Sequence, residues 1–179
     1  MKFFIKLSSI CFAFVLVSQF ASAQSDNYGR FKGDITAGYS YPIDLESKFG
    51  FNFSIEPKYN VTDNIAAGLK MEAAVFLGDS YDEGTGAIIM RSYSATGEYY
   101  FSQKKTRPYA GLGLGVYQRI LTSADEEVST VFNDKALFGF APRIGVQVGQ
   151  FRSGLEFNIA QKNTYLSLKI GATIGGKRK

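Results

Sequence analysis

Eight ionisable side chains, all at polar positions in the sequence, are the candidates for catalysis or for charge pairing. They are Asp34, Glu56, Lys70, Glu72, Glu98, Arg143, Glu156 and Lys169. With Lys32, Lys58 and Arg152, they give acids and bases in nearly equal number, which suits either acid–base catalysis or mutual charge neutralisation. Glu72 and Glu98 are the pair to consider as catalytic carboxylates. We favour the other interpretation, a buried polar network of ion pairs.

The residues on which most hydrolytic and metal-dependent sites depend are missing. The chain has no histidine, and its single cysteine is Cys11. Histidine is the usual catalytic base near neutral pH and a common zinc ligand. We therefore expect no enzyme activity, no catalytic or metal site and no cofactor. The formal net charge of +4 is not gathered on a basic face, so nucleic acid is not an expected partner.

Two further groups of residues resemble ligand sites superficially. The glycines of Gly111-x-Gly-x-Gly115 could suggest a phosphate-binding loop, but that fingerprint needs a helix to begin there, and strand-like alternation continues through it. Asp79, Asp82 and Glu83 could bind a cation, but they lack the ligand spacing of a calcium loop. We expect close packing around the glycines and solvated loops around the acids.

The first 23 residues are typical of a cleaved signal peptide. Two lysines precede an apolar run, and Ala21 and Ala23 supply the small residues that signal peptidase needs before Gln24. The run is shorter than the ~20 apolar residues of a membrane-spanning helix, which is the alternative. We predict a secreted precursor with a leader over 1–23 and one domain over 24–179. No disulfide can form in that domain, because the only cysteine lies in the leader.

Apolar and polar residues alternate along the rest of the chain, and no stretch has the 3.6-residue period of an amphipathic helix. The alternation forms eight segments of about ten residues, the length that a tilted strand needs to cross a bilayer. They run over residues 31–41, 49–58, 65–75, 89–101, 110–117, 138–148, 151–159 and 166–174. This pattern predicts an all-β fold, an eight-stranded antiparallel up-and-down transmembrane β-barrel.

The connections between the segments alternate in length. Residues 59–64, 102–107 and 149–150 form short turns, whereas 77–86 and 120–135 are longer and acidic. Pro42–Lys48 and Gln161–Thr164 are short for loops of the second kind. Outer-membrane barrels have short periplasmic turns and longer external loops, and an even strand number returns both termini to the periplasm. We therefore predict the cell outer membrane, with both termini in the periplasm.

Glycine placement indicates which face of the strands is enclosed. Almost all strand glycines fall on the polar face, and only Gly33 and Gly97 fall on the apolar one. Glycine weakens a strand, so it is expected where space is short, and an eight-stranded lumen only just holds side chains. We predict that the polar face lines the lumen and that its charges pair there. A solvated polar face is the alternative.

The apolar face has the features of a lipid-facing surface. A mid-bilayer Arg or Lys would cost ~2–4 kcal/mol, and Arg91, the one charge on this side, is expected near the outer end, where the cost is lower. Aromatic residues gather at strand ends, and we expect them to form two interfacial girdles. The girdles are Tyr39, Tyr41, Phe49, Phe76 and Phe138 at one rim and Tyr59, Tyr99, Phe101 and Phe151 at the other.

Three segments resemble the small bacterial outer-membrane β-barrel family, which includes the OmpA-, OmpX- and OmpW-like eight-stranded barrels. They are EPKYNVTDN at 56–64, RPYAGLGLG at 107–115 and APRIG at 141–145. The resemblance covers the whole chain after the leader and implies a Gram-negative, porin-like membrane protein. Many members end on an aromatic residue that the barrel-assembly machinery reads. Here Gly-Gly-Lys-Arg-Lys follows Ile174, so Ile174 would have to serve, or the host's machinery reads a different ending.

Three functions fit these expectations. The preferred one is a structural or surface-interaction barrel whose lumen is plugged by polar and ionic side chains. Its partners would be outer-membrane lipid, lipopolysaccharide and an unidentified ligand of the extracellular loops. The second is a narrow channel for small solutes, although a permanent water-filled pore needs more strands. The third is a soluble periplasmic lipid-binding barrel.

Overall fold

The elements of the computed structural model are all β-strands in the residues it describes, which are 27–44, 49–77, 86–123, 132–133, 136–161 and 163–176. In these ranges no helix is long and apolar enough to cross a membrane. The strands are β1 (Phe31–Pro42), β2 (Phe49–Asn60), β3 (Ile65–Leu77), β4 (Gly86–Tyr100), β5 (Thr106–Ser123), β6 (Phe132–Asn133), β7 (Leu137–Val148), β8 (Phe151–Asn158) and β9 (Tyr165–Gly175). The predicted cleavage site at Ala21, Ala23 and Gln24 and the acidic residues Asp79, Asp82 and Glu83 lie outside the described residues.

The eight long strands close into one antiparallel barrel. Each long strand pairs with the next long strand along the chain, and β9 pairs back onto β1, with Lys32 opposite Gly175. The two-residue strand β6 only extends the pairing of β5. Closure removes the exposed strand edges that would otherwise invite pairing with other chains. The predicted eight-stranded antiparallel barrel is confirmed.

Strands β4 and β5 are longer than the sequence pattern indicates. β4 begins at Gly86 and β5 ends at Ser123, and these two residues pair with each other. The prediction that the connection after β5 starts at residue 120 was wrong, because backbone pairing continues past the point where side-chain alternation stops. With 15 and 18 residues, the two strands exceed the about 9–11 residues that a tilted strand needs to cross a bilayer.

The two ends of the barrel differ in their connections. Residues 27–30 and the turns 61–64, 101–105 and 149–150 lie at one end, called here the terminal end. The opposite end, called the loop end, carries the connections that follow β1, β3, β5 and β8. At the terminal end the Gly149 amide donates a hydrogen bond to the Lys105 carbonyl at 3.1 Å, which joins two of the turns.

The outer surface of the barrel is apolar, and the interior is polar. In β2, exposed and buried residues alternate at every position, so that Phe51 and Phe53 point outward while Glu56 and Lys58 point inward. The contrast is as sharp between sequence neighbours: Leu69 is 65% exposed, whereas Lys70 is 2% exposed. Soluble barrels have the opposite arrangement, with the apolar face buried.

Aromatic rings contact one another at the rims of the outer surface. At the terminal end, the rings of Phe31 and Tyr59 and those of Tyr99 and Phe101 form edge-to-face pairs, each with centroids 5.2 Å apart. Phe76, expected in the rim at the loop end, is instead completely buried. That expectation was wrong, because Phe76 occupies an inward position in the alternation of β3.

Inward glycines allow neighbouring strands to approach closely. A Cβ atom at Gly171 would lie 2.7 Å from the Thr36 Cα, and the backbone atoms of an adjacent strand cannot move aside. Around the outward glycines Gly33 and Gly97, no atom of the described residues lies within 4 Å of the same position. A tightly curved sheet needs such glycine positions on its concave side. The inward glycines therefore serve backbone approach as well as space for side chains.

Candidate functional site in the barrel lumen

Charged side chains that are almost completely buried line the lumen. All eight residues of the polar network predicted from the sequence lie inside, and Lys32, Lys58 and Arg152 accompany them. The set is Lys32, Asp34, Glu56, Lys58, Lys70, Glu72, Glu98, Arg143, Arg152, Glu156 and Lys169, each at most 7% exposed. Alternation in each strand turns these residues inward, away from the apolar exterior. A buried charge is tolerated only when it is paired and hydrogen-bonded, so the partners decide whether the arrangement is stable.

Towards the terminal end, Asp34, Lys58, Glu98 and Arg152 form one cluster, called the terminal cluster. The Lys58 Nζ lies 2.6 Å from the Asp34 Oδ2 and 2.7 Å from the Glu98 Oε2. The Arg152 guanidinium pairs with Glu98 and lies 3.2 Å from the Asp34 carboxylate. Thr173 donates a further hydrogen bond to Asp34 at 2.6 Å. Every charge in this cluster therefore contacts at least two opposite charges.

A second group, called the central cluster, consists of Lys70, Glu72, Glu156 and Lys169. The Lys70 Nζ is 3.0 Å from the Glu72 carboxylate and also contacts Glu156. The Lys169 Nζ is 2.7 Å from the Glu156 carboxylate and also contacts Glu72. Two cations and two anions thus form a closed ring of ion pairs, contributed by β3, β8 and β9.

Arg143 joins the two clusters. Its Nη1 and Nη2 donate to the two oxygens of Glu56 at 2.8 and 2.6 Å, the paired geometry that only a guanidinium can supply. The same side chain lies 3.2 Å from Glu98 of the terminal cluster and 3.6 Å from Glu156 of the central cluster. Thr96 also donates to Glu56. The lumen therefore holds one connected network and not a series of separate pairs.

Two tyrosines that the sequence pattern did not single out extend this network. The Tyr165 hydroxyl donates to Glu72 at 2.9 Å, and the Tyr100 hydroxyl donates to Glu98 at 2.7 Å. Lys32 donates to the Tyr100 oxygen at 2.8 Å. The available signal was position in the strand, because both tyrosines share the inward alternation of the charged residues. This signal was ambiguous, because tyrosine is also enriched in the aromatic girdles at membrane interfaces.

The N-terminal residues 27–30 cover the lumen at the terminal end. The Arg107 guanidinium is stacked between the rings of Tyr28 and Tyr100, 3.9 and 4.1 Å from their centroids. Tyr28 is 6% exposed, and its hydroxyl donates to the Gln103 carbonyl at 2.7 Å. A cation between two aromatic faces is favourable, and more so when desolvated. This stack closes the mouth beneath the terminal cluster.

Buried apolar side chains occupy the lumen at the loop end. Phe76 and Tyr165 pack edge to face with centroids 5.3 Å apart, and Met90, Tyr117 and Ala160 belong to the same buried cluster. The ionic network thus lies between an aromatic–cation stack at one end and an apolar cluster at the other.

The geometry supports structural pairing better than chemistry on a substrate. Glu72 and Glu98, considered above as catalytic carboxylates, belong to different clusters, and each is held by cations. A cavity within the network measures about 20 Å³, room for about one water molecule. No group of three or more His, Cys, Asp or Glu residues in the described ranges could hold a metal ion. The Gly111–Gly115 segment is part of strand β5, without the helix that a phosphate-binding loop needs.

Solved structures share this fold. Neisserial surface protein A matches with a TM-score of 0.65 and 14% identity over 84% of this chain and 99% of its own. Ail, the attachment invasion locus protein of Yersinia pestis, in complex with the heparin analogue sucrose octasulfate, matches with a TM-score of 0.54 and 15% identity over 84% and 99%. The outer membrane protein OprG from Pseudomonas aeruginosa matches with a TM-score of 0.52 and 13% identity over 88% and 98%. No family model matches the sequence, and no curated protein matches it.

Proposed function

We propose that this chain is an outer-membrane protein whose eight long strands cross the bilayer around a sealed lumen. The observation that carries the proposal is the inverted barrel, in which large apolar side chains cover the outside and paired charges fill the inside. In water such an exterior would be a very large exposed apolar patch, which soluble monomers avoid. The same arrangement argues against a soluble lipid carrier, because a carrier needs an apolar cavity.

The terminal end faces the periplasm in this proposal, and the loop end faces outward. The turns at the terminal end are short, as periplasmic turns are, and β4 and β5 extend towards the loop end beyond the length that a bilayer requires. Assembly would require a signal peptide over 1–23 and the barrel-assembly machinery.

The role we propose is structural or surface-interacting, and neither enzymatic nor conductive. What supports a closed lumen is that the cavity within the described ionic network measures only about 20 Å³, room for about one water molecule. Loops at the outer end would then carry any contact with lipopolysaccharide or another surface ligand. The fold is compatible with that role, since the similarly folded Ail is described as an attachment invasion locus protein.

Flotation and conductance test the proposal together. The refolded chain from Gln24 should float with liposomes in a density gradient and should show a heat-dependent shift in gel mobility. In planar bilayers it should give no steady channels. The multiple variant Lys70→Ala/Glu72→Ala/Tyr28→Ala/Phe76→Ala should give steady channels, because it removes half of the central cluster together with part of the closure at each end of the lumen.

The control is Arg91→Ala, which removes an exposed charge from the outer face and should give no channel conductance. Large conductance of the native protein would favour the narrow-channel function. Recovery of the protein in the supernatant without detergent would favour the soluble carrier.

A further inference from the structure

An apolar groove of about 520 Å³ runs along the outer wall where β5, β7 and β8 meet. Its lining includes Phe101, Pro108, Ile144, Leu155 and Leu168. The small residues Ala110 and Ser153 also line it, between the larger apolar side chains. On the lipid-facing side of a membrane barrel, a groove of this composition suits a hydrocarbon chain.

A basic pocket of about 490 Å³ opens beside this groove, at the terminal end. Lys104, Lys105 and Arg107 line it, and none of its described lining residues is acidic. Gln147 also lines the pocket and is only 7% exposed. Its Nε2 donates to the Gly149 carbonyl at 3.0 Å, but among the described residues its Oε1 has no hydrogen-bond partner. A buried acceptor without a donor is costly, so a ligand that donates to it would be stabilised.

One turn connects the two sites. Residues 101–105 join β4 to β5; Phe101 lines the groove, whereas Lys104 and Lys105 line the pocket. An occupant of both sites would therefore carry an apolar tail, a negative charge and a hydrogen-bond donor. Glycerophospholipids with an anionic, hydroxylated headgroup combine these three features.

We infer that the groove and the pocket together bind an anionic glycerophospholipid of the periplasmic leaflet. This inference rests on the membrane location proposed above. One acyl chain lies in the groove, the phosphodiester lies against Lys104 and Lys105, and a headgroup hydroxyl donates to the Gln147 Oε1. A zwitterionic ethanolamine headgroup would place an ammonium beside three cations, and that like-charge contact disfavours it.

Native mass spectrometry of the refolded protein in detergent tests this inference with three probes: phosphatidylglycerol, phosphatidylethanolamine and glycerol 3-phosphate. We expect phosphatidylglycerol to bind at least about fivefold more tightly than phosphatidylethanolamine, a preference set by charge. Lys104→Ala/Lys105→Ala should abolish the preference, and Gln147→Leu should reduce it. Ala110→Phe, which fills the groove, should weaken binding of both lipids. The controls are Arg91→Ala and Ala95→Phe, an exposed cation and an outward alanine elsewhere on the barrel.

Equal affinity of the native protein for the two lipids would overturn the inference, as would an unchanged preference in the double lysine variant. Binding of glycerol 3-phosphate as tight as that of the lipid would exclude the groove from the site. These results are separable from a failure of the proposed function. A protein that floats with liposomes but shows no lipid preference contradicts only the lipid site, whereas one that does not float contradicts the membrane location.

Discussion

Arg143 is the side chain on which the lumen network most depends. Its planar fork satisfies both oxygens of Glu56 and reaches Glu98 and Glu156 as well. Removing one partner from a buried ionic network costs more than the net contribution of the pair, because the remaining charges stay buried without compensation.

Replacing Arg143 with methionine should lower the free energy of unfolding by about 3–5 kcal/mol, because it leaves buried carboxylates without their shared cation. Urea unfolding in detergent micelles or liposomes would measure the change. Arg91→Met makes the same substitution at an exposed position and should change the stability little. Equal effects of the two variants would mean that the lumen charges are solvated.

Alternation along each strand predicts most of the charged residues that enter the lumen, but it missed Arg107, which the sequence pattern assigned to a turn and the structure buries in β5. It is not sufficient to predict their partners. Lys70 pairs with Glu156, 86 residues away, because the two strands face each other across the barrel. Such contacts depend on the stagger of the strands around the barrel, and a single sequence does not reveal the stagger. Tyr100 and Tyr165 were missed for a related reason, since tyrosine suits either face.

Strand glycines set how closely the elements approach each other. Gly171→Ala should lower the free energy of unfolding by about 1–3 kcal/mol, the usual cost of overpacking, because its methyl group would meet the backbone of β1. Gly97→Ala adds the same methyl group to open space on the outer face and should be neutral or stabilising. Urea unfolding midpoints of the two variants would show the difference. A neutral Gly171→Ala would contradict the close approach of β9 and β1.

Residues 27–30, which precede β1, cap the lumen at the terminal end. Tyr28→Ala should lower the free energy of unfolding by up to about 2 kcal/mol, because it removes one of the two rings that sandwich the Arg107 guanidinium. Hydrogen exchange should accelerate in residues 101–105, which Tyr28 contacts. Tyr28→Phe keeps the ring and should have the smaller effect. Identical exchange in all three proteins would show that the cap does not hold the turn.

The number of long strands and their all-β character could be predicted, because eight segments alternate between apolar and polar residues and none of them has the helical period. The ends of β4 and β5 could not be, because the residues near 118–123 no longer alternate while their backbones still pair with β4. Backbone hydrogen bonding between two strands cannot be inferred from the types of their residues when the side chains do not alternate. For the same reason, β6 was not predicted.

At the scale of the whole molecule, the described apolar surface lies outside, which suits a barrel surrounded by lipid, as proposed above. Leu112→Arg should cost ~2–4 kcal/mol if the position lies near the bilayer centre, and should block membrane assembly. Gln150→Arg places the same charge in an exposed turn at the terminal end and should assemble normally. The heat-dependent gel shift of purified outer membranes would report assembly. Equal assembly of both variants would contradict the lipid-facing role of the apolar surface.

The sidedness of the strands is tested most directly by the reactivity of single cysteines in β9, measured in liposomes. The chain from Gln24 has no native cysteine, so Leu168→Cys, Ile170→Cys, Ser167→Cys and Thr173→Cys each give one thiol. If the apolar face meets lipid, a lipid-soluble maleimide should label positions 168 and 170, and neither this reagent nor a water-soluble methanethiosulfonate should label 167 and 173. Labelling of 167 by the water-soluble reagent, or protection of 168 from the lipid-soluble one, would contradict this sidedness.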